Sequence, residues 1–300
     1  MIRYNYGWVL IIERIVRRNY WLRLAAQPFY KVWLWWLQRC RNPRIRIFER
    51  LLNVLESGSV VIHVPDYYGS FEMDIRSHIL KRLVVTGYYE PQLLKLVKSH
   101  IKRNVDAIDV GANIGLYTVL FANLISPTNK VLAIEPIPSV LYYLHRNIKR
   151  NNLGNQVIFF EGVSKECSGL AEIQTVIGNE EYSSMRDIAH PSAREMKFLQ
   201  ITVSGETIDN LVKLNSLSPG FIKIDTEGAE LMVLKGALRT LETARPVIIS
   251  ELSDRLLAGF NSDTDEVLSL LEGKGYVVID VLTGHRPIKP FHGNIIALPK

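Results

Sequence analysis

From Val105 onward, short apolar runs rich in β-branched residues alternate with longer stretches of helical period. Runs at 105–110, 130–134, 157–160, 221–225, 245–252, 276–281 and 294–298 have the length and composition of strands. Apolar positions three and four apart predict helices over 116–122, 138–151, 231–241 and 264–274, and Pro91 suits the first turn of another that reaches His100. This alternation predicts a doubly wound α/β sheet, whose ligands bind beyond the carboxyl ends of the strands. Upstream, 45–55 reads as a short helix and 58–80 as a small antiparallel addition packed against the sheet, with His63 and His78 as structural residues. Two more runs, 170–176 and 199–203, read as a β-insertion joined by a polar stretch of lid or acceptor-loop character.

The first long strand ends at Asp109-Val110 and breaks into a loop with Gly111 and Gly115 before the helix begins. Glycines at such a corner let a ligand approach the main chain, and the following helix is expected to offer unpaired N–H groups there. The next strand ends in Glu135, the position from which an acid accepts hydrogen bonds from a ribose diol. The loop spacing is G-x-x-x-G, whereas a pyrophosphate-binding loop reads G-x-G-x-x-G. A nucleoside ligand without phosphates therefore fits better than NAD. Further on, a strand ends in Asp225 and runs into Thr226-Glu227-Gly228-Ala229-Glu230, three acids within six residues. The macrodipole of the next helix accounts for one of them, which leaves Asp225 to project into the ligand crevice.

The segments 109–115, Glu135-Pro136 and 222–230 together resemble the FkbM-type family of S-adenosylmethionine-dependent methyltransferases, and the resemblance runs from Gly87 to the C-terminus. It implies a class I, Rossmann-like methyltransferase fold: a seven-stranded, mostly parallel sheet with helices on both faces. It also implies S-adenosylmethionine held by Asp109, Gly111, Ala112, Asn113, Gly115, Glu135 and Pro136, with Gly162 and Val163 at the adenine. Val163 stands where the family more often has a small residue. The implied reaction is methyl transfer to an oxygen of a sugar, glycolipid or polysaccharide precursor. An acceptor hydroxyl has a high pKa and needs a base within reach, a role for Asp225 or Glu227. Ser183, Ser184, Glu230 and Glu251 are candidate acceptor contacts, and Tyr89 and Glu90 lie in a segment that the family places near the cofactor. A second reading makes Asp225, Glu227 and Glu251 a divalent-cation site; the first needs no metal. His285 and His292 would serve as bases only if they face the crevice.

Two rivals stay open at this point. A nicotinamide-dependent oxidoreductase shares the strand, loop and acid, but the glycine spacing and the lack of a Tyr-x-x-x-Lys pair count against it. A non-catalytic, membrane-attached module that keeps the fold is countered by intact glycines and acids in all three motifs. Methyl transfer to nitrogen is disfavoured because no Asn/Asp-Pro-Pro-Tyr sequence follows the fourth strand.

Charge and composition change the picture at one end of the chain. Residues 1–50 hold eleven Lys and Arg against Glu13 and Glu49, a net charge of +9, whereas the other 250 residues balance to −3 within the total of +6. A basic nucleic-acid-binding surface is therefore not expected on the rest. All five tryptophans fall in the same segment, and Phe29, Val32, Trp33, Trp36 and Leu37 recur at helical spacing. Residues 1–57 are expected to form a basic helical segment that docks peripherally on an anionic membrane, packs on the main domain or makes a homo-oligomer contact, with 58–300 as the methyltransferase domain. Cys40 and Cys167 lie far apart without metal-ligand spacing, so both are expected as buried free thiols of a cytoplasmic chain.

Overall fold

In the computed structural model, residues 58–176 and 198–300 are described. The Trp-rich segment, with its expected helices and membrane contact, lies outside them, as do Cys40, Ser183 and Ser184. No described helix is long and apolar enough to cross a membrane.

The strand runs become a seven-stranded sheet. β3 (Asp106–Val110) lies between β4 (Val131–Ile134) and β9 (Pro219–Ile224); β5 (Val157–Phe160) flanks β4, and β10 (Val247–Ser253) flanks β9. These five are parallel. β12 (His292–Pro299) inserts antiparallel between β10 and β11 (Tyr276–Asp280), as the family likeness implies. The fold is thus of the class I methyltransferase type, with the strand-order reversal between β3 and β9 placing a crevice at their carboxyl ends. Ile108, Leu132, Ile222 and Ile248, one from each of four adjacent strands, are buried in one core.

Helices α3 (Leu116–Leu124), α4 (Pro138–Arg150) and α9 (Thr264–Gly273) form where their apolar spacing predicts. The helix expected over 231–241 is instead two, α6 (Glu230–Lys235) and α7 (Leu238–Thr243). Gly236, the C-cap residue of α6, lies between them, and a Cβ there would meet the Lys165 carbonyl oxygen at 2.2 Å. A short α5 (Ile208–Leu214), capped by Thr207, and α8 (Asp254–Leu257) carry too few turns to show a helical period in the sequence.

The addition at 58–80 needs correction on two counts. Its hairpin of β1 (Ser59–Val64) and β2 (Gly69–Asp74) is followed by a helix, α1 (His78–Thr86), capped by Ser77. The hairpin also docks mainly on helices α4 and α3. Asn147 and Asn151 of α4, one turn apart, treat β2 as a neighbouring strand would: each amide oxygen accepts from a β2 N–H and each amide nitrogen donates to a β2 carbonyl. Arg146 and Arg150, again one turn apart, donate to the buried Glu72 carboxylate at 2.9 and 2.7 Å. Helix α2 (Pro91–His100) then leads to β3.

The insertion forms a three-stranded sheet in the order β6 (Gly162–Ser164), β8 (Phe198–Glu206), β7 (Gly169–Val176). Cys167 lies in the turn before β7 and is exposed, contrary to the expected buried thiol, because the polar turn that carries it faces solvent.

Candidate active site

The loop after β3 is built around two contacts that leave no room for side chains. Gly111 has φ +77°, and a Cβ on it would lie 1.9 Å from the Asp225 carbonyl oxygen, so the loops after β3 and β9 touch there. Gly115, at φ +92°, packs against Leu144 of α4. No side chain caps the start of α3, but the N–H groups of the loop itself are already bonded. Gly111 and Ala112 both donate to the Ile134 carbonyl at 3.0 Å, Asn113 to Glu135 Oε2 at 2.9 Å, and Gly115 to the Ala112 carbonyl at 2.9 Å. Ile114 donates to the Asn113 side chain at 2.7 Å, which is possible because Asn113 adopts the left-handed region at φ 51°. The loop spends its donors on its own chain, so it is not an anion cradle.

Carboxylates occupy the crevice instead. Glu135 is 6 % exposed and its second oxygen accepts from Ile137 N–H at 3.0 Å. Burial pushes its pKa up to about 7, with Asp109 and Asp225 adding repulsion. Asp109 is fully buried: Oδ2 accepts from the Thr118 hydroxyl at 2.6 Å, while Oδ1 has no hydrogen-bond partner. Burial raises it to about 6 against the pull of Lys223.

Lys223 is the residue that pattern reading missed. It stands in the apolar run Phe-Ile-Lys-Ile-Asp of β9 and is 4 % exposed. A lysine inside a strand buried on both faces is the signal that would have flagged it. Its place follows from register. Phe121 and Tyr117 of α3, one turn apart, lie over Phe221 and Lys223 of β9, two residues apart: the phenylalanine rings meet at 5.4 Å and Lys223 Nζ sits 4.8 Å from the Tyr117 centroid. Nζ donates to Asp225 Oδ2 at 2.9 Å. The Tyr117 hydroxyl in turn donates to Glu90 Oε2 at 2.7 Å, and Glu90 takes the strained φ of 40° at the head of α2. The carboxylates Asp225, Asp109 and Glu90 hold Lys223 protonated well above the usual lysine range despite its burial. Burial and Asp225 hold Glu90 above the ordinary glutamate value, with Lys223 opposing.

The turn after β9 displays Glu227. Gly228, at φ +109°, lies against the Leu256 carbonyl, where a Cβ would approach to 2.6 Å. Glu227 itself is forced to φ 52°, uncommon for a glutamate. Glu230, expected among the acceptor contacts, holds its own turn together through one oxygen and leaves the other, Oε2, buried without a hydrogen-bond partner. It is 2 % exposed, and its Oε1 accepts from Thr226 N–H, the Thr226 hydroxyl and Gly228 N–H at 3.0 to 3.1 Å. Glu227 is pushed up to about 8 by burial and by Asp225, Glu251 and Glu230, with Arg255 opposing. Glu251, near the end of β10, reaches about 7 through burial and repulsion from Asp225 and Glu90. The structure therefore brings Asp109, Glu135, Asp225, Glu227, Glu251 and the lesser candidate Glu90 into one electrostatic neighbourhood. It does not gather Asp225, Glu227 and Glu251 as a cation site: among the described residues, no group of three or more His, Cys, Asp or Glu is arranged to hold a metal ion.

Other candidates have more local explanations. Gly162 begins β6, where a Cβ would lie 2.3 Å from the Ser204 carbonyl oxygen, and Val163 is buried beside β8. Ala112 is buried in the loop, and Pro136 follows Glu135 at the crevice. Tyr89 is half-buried, and burial together with Glu90 and Asp225 raises its hydroxyl well above the usual range. His63 and His292 are exposed, and His285 lies in an exposed turn after β11.

Residues 109–278, more than half of the chain, match the methyltransferase FkbM domain. The chain belongs to the FkbM methyltransferase family. The family match begins at Asp109 and so covers the glycine loop, Glu135 and the Asp225 turn. Among relatives, the chain is 28 % identical over 190 residues to Methyltransferase 1 of Beauveria bassiana, covering 57 % of this chain and 72 % of that one. It is 25 % identical over 199 residues to the 31-O-demethyl-FK506 methyltransferase FkbM of Streptomyces tacrolimicus, with the same coverage. It is 26 % identical over 201 residues to the hexuronic acid methyltransferase AglP of Haloferax volcanii, covering 65 % and 77 %. Among solved structures, a methyltransferase FkbM from Methylobacillus flagellatus aligns with TM-score 0.44 and 18 % identity over 73 % of this chain and 52 % of that one.

Proposed function

We propose that this protein is an S-adenosylmethionine-dependent methyltransferase acting on a hydroxyl oxygen of a sugar, glycolipid or polysaccharide precursor. The observation that carries the reading is the inverted polarity at the crevice: its loop N–H groups are already bonded, while carboxylates gather there and the fully buried Asp109 Oδ1 has no hydrogen-bond partner. Such a site suits a ligand that brings hydrogen-bond donors and positive charge and carries no phosphate. S-adenosylmethionine has a ribose diol, an ammonium group and a sulfonium, so the residues present fit it. Asp109, Glu135 and the loop from Gly111 to Gly115 would hold it. When bound, it supplies a methyl group on cationic sulfur: the acceptor oxygen gains the methyl, sulfur keeps the electron pair of the broken bond, and one proton must leave the hydroxyl. Asp225, Glu227 and Glu251 surround the place where that proton would be taken up. Groups with pKa near 7 to 8 are matched to proton uptake at neutral pH.

The relatives include a hexuronic acid methyltransferase, so a sugar acceptor has support, but a carboxylate acceptor would enter a crevice already rich in acids. The test is transfer of labelled methyl from S-adenosylmethionine to a panel of neutral glycosides and uronates. The expected product is an alkali-stable ether on a neutral sugar. Label recovered as an alkali-labile ester would overturn the hydroxyl reading in favour of carboxylate methylation.

A further inference from the structure

The net charge of −3 over the last 250 residues conceals a cationic stretch. Residues 75–105 hold seven Lys and Arg against a single acid, Glu90. We propose that the face built by α1, α2 and the turn after α2 is a docking surface for an anionic phospholipid bilayer. It is separate in sequence from the Trp-rich segment, and it does not depend on what the crevice binds.

The packing of the two helices puts these cations outside. Ile79 and Leu80 of α1 and Leu93, Leu94 and Val97 of α2 are buried. That leaves Lys81 and Arg82 exposed on α1 and Lys95 on α2, with Lys102 and Arg103 exposed just beyond it. Only residues 87–90 separate the helices, and Arg82 lies close enough to Tyr89 and Glu90 for its charge to be felt at both. From Glu90 at the crevice α2 extends about 15 Å at the ordinary helical rise. The chain then reaches Arg103, whose carbonyl accepts from Ser126 N–H past the end of α3. The cations therefore run along one side of the domain, from the crevice to the amino end of the sheet.

Local needs account for few of them. The macrodipole of α2 favours Lys98 and His100 in its last turn. Lys98 is also occupied, donating to the Asp66 carbonyl at 2.7 Å and lying 4.3 Å from the Tyr68 centroid. Among the described residues, no acid lies within ion-pair reach of Lys81, Arg82, Lys95, Lys102 or Arg103. Near α9, by contrast, Arg286 pairs with Glu272 and Lys289 with Asp263, both at 2.7 Å. Five cations with no acid among them repel one another, and an anionic surface relieves that repulsion. Tyr68, beside Lys98, and Tyr88, between the helices, are exposed and offer amphipathic rings suited to a headgroup layer. A bilayer fits better than a nucleic acid: it needs only the outer sides of the helices, whereas a strand following the cations would meet the acids gathered at the crevice.

The test is flotation of the full chain with vesicles of phosphatidylcholine, with and without phosphatidylglycerol. The chain is expected to float only with the anionic vesicles and to be released by added salt. Combining Lys81→Glu, Lys95→Glu, Lys102→Glu and Arg103→Glu should weaken partitioning on the order of a hundredfold or more. A second set, Lys149→Glu, Lys213→Glu, Arg239→Glu and Lys300→Glu, makes the same change in net charge on other exposed positions and should have little effect. If the first set fails to fold, Lys81→Gln, Lys95→Gln, Lys102→Gln and Arg103→Gln take its place, with a smaller loss in the same direction. No flotation of the unsubstituted chain, equal losses in both sets, or no loss in the first would overturn the proposal, the last by leaving residues 1–57 as the sole anchor. Release of the chain from vesicles by single-stranded RNA at equal phosphate would overturn it in favour of a nucleic-acid surface. Calorimetry with S-adenosylmethionine keeps the two claims apart: a chain that floats but binds no cofactor would contradict the proposed function and leave the docking surface standing.

Discussion

The two ends of β3 carry the same residue type three positions apart and use it in opposite ways. At the amino end, Asp106 is satisfied on every side: Oδ1 accepts from the Asn129 side chain and Lys130 N–H, and Oδ2 from Ser218 N–H, which ties β3 to the starts of β4 and β9. At the carboxyl end, Asp109 is more deeply buried, yet one oxygen has no partner. Glu72 and Glu135 repeat the contrast on a larger scale. Two arginines and Ser59 complete Glu72 and hold its carboxyl below the usual range against its own burial, whereas burial raises Glu135. A buried acid with all its bonds made is part of the scaffold. A buried acid with bonds left over is where the proposed function would put a ligand.

The sharpest way to break the charged end is through its closest packing. Gly111→Ala would place a methyl 1.9 Å from the Asp225 carbonyl at a φ that disfavours side chains. Urea denaturation should show a loss on the order of 3 kcal/mol or more. Unchanged stability would mean that the two loops do not meet as described.

Swapping each aspartate for asparagine tests the comparison itself. Asp106→Asn puts an amide donor against donors and should cost roughly 2 to 3 kcal/mol of stability while sparing ligand affinity. Asp109→Asn removes an unpartnered buried charge, so stability should hold, but affinity for S-adenosylmethionine should fall about tenfold or more, which corresponds to about 1.4 kcal/mol. If both variants behave alike, the distinction drawn between the strand ends is wrong.

The acids also give the unliganded chain a pH signature. Glu135 and Glu251 at about 7 and Glu227 at about 8 bind protons more tightly in the folded chain than at their ordinary value of 4.5. The stability that they contribute is full below their unfolded pKa and is lost as pH rises through 7 to 8. Thermal melts from about pH 5.5 to about pH 8.5 should therefore show a falling midpoint, with a loss on the order of 2 kcal/mol after allowance for partial exposure. A flat or rising profile would contradict the buried-acid account. Arg150→Ala should have the smallest effect, about 1 kcal/mol of stability with ligand affinity unchanged, since Arg146 still serves Glu72.

Much of this was legible in the sequence, for identifiable reasons. Strands buried on both faces leave long apolar runs, so all seven sheet strands were readable, and the glycines and acids at 109–115, 135 and 225–230 marked the crevice. What escaped reading depends on contacts between distant segments. The docking of the hairpin on α4 rests on asparagine amides that imitate a strand, and the need for glycine at 236 rests on a carbonyl from the Lys165 segment. The closed donors of the glycine loop depend on Ile134 and Glu135 from the next strand, so the two glycines were visible but the partners of the loop N–H groups were not. Lys223 was visible as an anomaly in an apolar run, but its meaning came only with Tyr117 and Glu90 beside it.

The measurement that bears most directly on the central claim is calorimetric titration of the full chain with S-adenosylmethionine, S-adenosylhomocysteine and NAD, repeated on Glu135→Gln. The account predicts that the two adenosyl ligands bind and NAD does not, and that the substitution weakens both by roughly 2 kcal/mol through lost charged hydrogen bonds. Binding of NAD, or adenosyl binding indifferent to Glu135, would contradict it.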